Sequence, residues 1–108
     1  MSQTPQDTIV AIATPPGEGA VGIVRLSGPS AVRIASTHVV LQIPLQSVRN
    51  FHVRHGQLRL NDRLTDEVLV FVARQPNSHT GEDTVELQCH GSPVLLNALI
   101  RSLVDSGA

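Results

Sequence analysis

Tryptophan and tyrosine are absent from this 108-residue chain, and Phe51 and Phe71 are its only aromatic residues apart from histidine. Positive charge is also scarce: eight Lys and Arg stand against nine Asp and Glu, a formal net charge of −1. Without a bulk positive field, and without Trp or Tyr for bases to stack on, the chain is a poor candidate for binding RNA by itself. One cysteine, Cys89, excludes an internal disulfide and a cysteine-cluster zinc site, and it suits a reducing compartment. No apolar run approaches the roughly 18 residues of a membrane span. The opening residues also lack the basic and apolar regions of a secretion signal, so a cytoplasmic location with no membrane partner is expected.

Chemical motifs are missing as well. No G-x-x-x-x-G-K-[ST] loop is present to cradle phosphates, so nucleotide hydrolysis is not expected from this chain alone. No G-x-S-x-G elbow is present, and the five histidines fall at no metal-ligand spacing, so neither a catalytic nucleophile nor a metal site is expected. Gly17, Gly19 and Gly22 do satisfy G-x-G-x-x-G. Their context opposes a dinucleotide site, because they lead into the β-like run Val21 to Leu26 instead of opening a helix.

What is present is aliphatic. Valine, leucine and isoleucine supply 32 of the 44 hydrophobic residues, which predicts a β-rich core in a chain of single-domain size. Thr8 to Ala13 reads as a strand ending at Thr14-Pro15-Pro16-Gly17. Ala20 to Ser27 reads as a second strand, with Val21, Ile23, Arg25 and Ser27 on one face and Gly22, Val24 and Leu26 on the other, both at least half buried. Ser27-Gly28-Pro29 then offers a cap and a first-turn proline for a helix of about three turns carrying Ala31, Ile34, Ala35 and His38.

Leu41 to Asn50 has no firm period and contains Pro44, so it reads as a connection. Val53 to Leu60 and Leu64 to Ala73 form a predicted hairpin around Asn61-Asp62-Arg63. After the polar loop Gln75 to Gly81, Thr84 to His90 alternates, with Val85, Leu87 and Cys89 inward and Glu86, Gln88 and His90 outward. Ser92-Pro93 opens a last helix striped by Leu95, Leu96, Leu99, Ile100 and Leu103. Residues 1–108 are expected to form one α+β domain: a mixed sheet of about five strands with two main helices.

Two charges stand out against this background. Arg25 lies in an apolar strand and Glu86 in another, and each must be paired, reach an edge or await a ligand. A structural ion pair and a binding role are both open on the residues alone.

Two longer motifs carry a family resemblance. The run DTIVAIATPPG from Asp7 to Gly17, continued by VGIVRLSGP from Val21 to Pro29, resembles the opening of the TrmE (MnmE) family of tRNA-modification GTPases. PNSHTGED from Pro76 to Asp83, followed by VELQCHG from Val85 to Gly91, resembles that family's other N-terminal signature. The resemblance covers nearly the whole chain. It implies the N-terminal domain of a larger protein, followed in the family by helical and GTP-binding domains and a C-terminal Cys-x-Gly-Lys motif. Such a domain forms a homodimer and binds a reduced folate, 5-formyl- or methylene-tetrahydrofolate, as one-carbon donor near the dimer interface.

By motif position, Arg25 and Glu86 correspond to the family's cofactor-binding arginine and glutamate of the folate site; no catalytic residue and no metal ligand is carried over. GTP, magnesium and potassium belong to the family's GTPase domain. The resemblance further implies that the whole protein acts with the flavoprotein MnmG on the wobble uridine of certain tRNAs. The chain departs from the usual family pattern at Glu18 and Ala20, where Arg and Gly are common, at His79, where Phe is common, and at Ser92, which replaces a glycine.

Overall fold

The structure, a computed structural model, describes residues 7–13, 21–74 and 82–108. The expectations for the glycine loop with Glu18 and Ala20, and for the polar loop with His79, lie outside the described residues.

Among the described residues six strands form one sheet: β1 (Ile9–Ile12), β2 (Val21–Ser27), β3 (Val39–Val40), β4 (Val53–Leu60), β5 (Arg63–Ala73) and β6 (Thr84–His90). Among the described residues two α-helices, α1 (Ala31–Ser36) and α2 (Pro93–Asp105), and a short 3-10 turn at Leu45–Ser47 accompany the sheet in an α+β domain. The strand order is β1-β2-β6-β5-β4-β3, with every pairing antiparallel. The expected mixed sheet is thus corrected to a wholly antiparallel one. A strand–helix–strand connection commonly returns a parallel neighbour, but α1 carries the chain from β2 to the far edge, where β3 pairs only with β4.

Helix α1 is also shorter than expected, because Thr37 ends it and His38 leads into β3. Ser27 does not cap it. Its hydroxyl donates to Glu82 Oε1 at 2.9 Å, while Thr8 Oγ1 accepts the Ser30 N–H at 2.9 Å. Gly28 makes the turn at φ 141°, where an added Cβ would lie 2.5 Å from the Thr8 Cα. The second helix starts as its sequence predicts, with Pro93 in the first turn and Ser92 Oγ accepting the Leu95 N–H at 3.3 Å.

One face of the sheet carries the core. Val24, Leu26, Val68, Val70, Val72, Val85, Leu87 and Cys89 meet Ile34 and Ala35 of α1 and Leu96, Leu99 and Leu103 of α2. Gly22 admits α2 closely, since a Cβ there would meet the Leu96 methyls at 2.8 Å. Leu45 and Val48, from the connection before β4, plug the same core. Arg74 holds that connection in place, donating to the carbonyls of Val48 at 2.7 Å and Gln46 at 3.0 Å. Asn61 and Asp62 both have positive φ, as a two-residue hairpin loop of primed type requires.

Between the helices sits the buried His38. Its Nε2 lies 2.7 Å from Ser102 Oγ on α2, and its Nδ1 lies 2.8 Å from Thr37 Oγ1. Burial lowers its pKa from the ordinary value of 6.5, against a smaller upward pull from the Ile34 carbonyl.

Candidate functional site on the open sheet face

The opposite face of the sheet has no helix over it among the described residues. Both faces of β2 were expected to be at least half buried; instead Val21 and Arg25 are exposed. The two-residue period of each strand points every second side chain to this face. Register then sets them in rows. Ala11, Arg25, Glu86, Phe71 and Val53 are consecutive cross-strand partners from β1 to β4. In a neighbouring row, Ile23, Gln88, Leu69 and His55 are partners in the same way.

The two residues singled out from sequence therefore meet, although 61 positions separate them. Arg25 Nε donates to Glu86 Oε2 at 2.9 Å and Nη2 donates to the same oxygen. Oε1 takes no hydrogen bond among the described residues. The arginine side chain is 47% exposed and the glutamate 20%, so neither charge is sealed from water. An ion pair of this exposure adds little to stability. What it does supply is a fixed acceptor beside a fixed planar donor.

Further along the face, His90 Nδ1 lies 3.0 Å from Asp66 Oδ2, and His55 Nε2 lies 3.3 Å from Glu67 Oε1. These four residues, with Val21, Leu69 and Gln88, line a concavity of about 340 Å³. Among the described residues no three His, Cys, Asp or Glu side chains are arranged to hold a metal ion. Cys89 faces the core, where burial first and the Asp66 charge second push its thiol pKa up to about 11, so it stays protonated. No described helix is long and apolar enough to cross a membrane.

Strand alternation predicts Glu86, Gln88 and His90 on one face, and they lie there. It does not predict Phe71 beside Glu86. The available signal was the alternation of Leu69, Phe71 and Ala73 in β5, which lacks a partner until the register is known.

The fold is an α+β domain whose antiparallel sheet packs helices on one face and displays a charged pair on the other. Comparison with known proteins places this one: residues 8–108 match the family described as GTP-binding protein TrmE N-terminus, and the chain belongs to that family. It is 44% identical over 102 residues to the tRNA modification GTPase MnmE of Chlamydia caviae and 45% identical over 108 residues to that of Enterococcus faecalis. Identity to the MnmE of Thermotoga maritima is 42% over 105 residues. Each alignment covers 94% of this chain but only 22 to 23% of the relative, so the chain spans less than a quarter of the length of these proteins.

Proposed function

We propose that the open sheet face binds a reduced folate, 5-formyl- or methylene-tetrahydrofolate, and that Arg25 and Glu86 are the residues that recognise it. The supporting observation is the convergence of these two motif residues on the face that no described helix covers, with Glu86 Oε1 free of hydrogen bonds among the described residues. A pterin edge presents adjacent N–H donors that one carboxylate can accept, while the carbonyls and anionic tail of a folate suit a guanidinium.

In this reading the domain forms a homodimer that brings two such faces into one assembly. It serves a longer cytoplasmic protein, whose separate GTPase domain uses GTP, magnesium and potassium. That protein acts with MnmG on the wobble uridine of tRNA. The chain's own sequence holds no G-x-x-x-x-G-K-[ST] loop, so GTP hydrolysis is assigned to that separate domain.

A second reading has its own support. Arg25 and Glu86 already satisfy one another in part, as expected of an architectural module whose ion pair only steadies β2 against β6. Calorimetric titration of 5-formyl-tetrahydrofolate into the chain and into Glu86→Ala separates the two. Binding by the wild type and at least a tenfold loss in the variant is the expected result. Equal binding by both removes Glu86 from the site, and no binding by either leaves the architectural module.

A further inference from the structure

The core of this domain is aliphatic, and the two phenylalanines lie outside it, side by side on the open face. Phe71 is the direct cross-strand partner of Glu86, on the side away from Arg25. Phe51 stands just before β4, and the two ring centroids are 6.0 Å apart with planes inclined by 54°. That separation and tilt are typical of an attractive aromatic pair.

Phe51 sits there at a cost. Its φ is 64°, in the left-handed region that bulky side chains seldom adopt unless the surroundings impose it. The surroundings do impose it. The Phe51 N–H donates to the Val72 carbonyl at 2.8 Å, and Asn50 Oδ1 accepts from the Arg74 backbone N–H and from Arg74 Nη1, both at 3.1 Å. The same guanidinium binds the Val48 and Gln46 carbonyls, so the approach to Phe51 is tied to the end of β5 at several points. Burial is not what this arrangement achieves, because Phe51 remains 52% exposed. A strained backbone therefore holds a half-exposed ring against Phe71, one strand away from the carboxylate.

We infer that Phe51 and Phe71 form a stacking wall that sets the plane of the ligand's pterin ring while Glu86 reads its N–H edge. This rests on the folate reading above for the identity of the ligand. A carboxylate and a guanidinium fix the edge of a flat heterocycle but leave its tilt free. An adjoining aromatic surface removes that freedom and shields the charged contacts from water. Phe71 and Phe51 are thus positioning residues that determine specificity for a flat ring.

The test uses 5-formyl-tetrahydrofolate titrated into the wild type, Phe71→Leu, Phe51→Leu, Phe71→Tyr and Glu86→Ala, with each variant's fold checked by its thermal transition. Each leucine variant is expected to bind about three- to tenfold more weakly, the range that an aromatic contact contributes. Phe71→Tyr, which keeps the ring, should stay within about twofold. In phenylalanine-labelled protein only two ring systems exist, and both should show nuclear Overhauser contacts to the ligand.

Leucine variants that bind as tightly as the wild type, with Glu86→Ala still deficient, overturn the wall and leave the folate reading standing. Absence of ring contacts to bound ligand overturns it also, whatever the variants do. Leucine variants that lose only self-association in sedimentation assign the rings to a second copy of the chain and overturn it too. A wild type that binds no folate removes both readings together.

Discussion

The two faces of the sheet are built from the same strands yet obey different rules. On the covered face Val24, Leu87 and Val70 are cross-strand partners, all fully buried under the helices. On the open face, one residue along each strand, Arg25, Glu86 and Phe71 are partners in the same way, and all three reach solvent to some degree. Alternate positions of a single β-strand thus meet two environments, although at one end of the open side the row Ser27, Thr84 and Ala73 is buried too. The two environments are separable by substitution. A change among the fully buried residues alters folding free energy strongly, while a change at an exposed position of the open face alters it little.

The largest effect expected from breaking this division is in the core. Leu87→Ala should destabilise the domain by about 2–5 kcal/mol, since a fully buried leucine leaves a cavity that its neighbours fill only partly. Leu69→Ala, on the open face at 40% exposure, should cost about 1 kcal/mol or less. Denaturant midpoints at unchanged slope check both; equal losses would mean that the open face is covered in solution.

His38 gives an intermediate effect with a defined sign. Its folded pKa is lowered by burial, so the unfolded chain binds a proton first as the pH falls below 6.5. The contribution of the neutral imidazole is therefore complete above that value and is lost as the pH falls toward the folded pKa. Denaturation midpoints taken between pH 8 and 5 should decline in the wild type and decline less in His38→Gln. Removing the hydroxyl partner in Ser102→Ala should cost about 1 kcal/mol at neutral pH.

The smallest expected change is at the ion pair. Glu86→Gln should alter stability by less than about 1 kcal/mol, because an exposed arginine partner is screened by water. A loss of several kcal/mol in a melting or denaturant experiment would instead mark the pair as architectural.

Much of this was legible locally. The alternation in Thr84 to His90 separates Leu87 from Glu86 without any knowledge of the neighbouring strands, because successive side chains of a strand point to opposite faces. Ser92-Pro93 marks the start of α2, because an N-cap oxygen and a proline satisfy or remove donors within one turn. The similar cue at Ser27-Gly28-Pro29 misled in detail. Thr8, 22 residues away from Ser30 in the chain, supplies the oxygen there, and Ser27 turns to Glu82. Val39 and Val40 were too few to read as a strand, and they become one only because β4 lies beside them.

Periodicity and capping thus determined the class of fold, the core residues of the regular strands and of α2, and the two charges worth watching, since each of these depends on neighbours within a few residues; Leu45 and Val48 joined the core from a segment with no period. Which face stays open, that Arg25 meets Glu86 on it, and that Phe71 stands on the other side of Glu86 were decided by tertiary structure. Those facts depend on strand order and register, which arise from the simultaneous burial of β2, β5 and β6 against two helices and are written in no single segment of the chain.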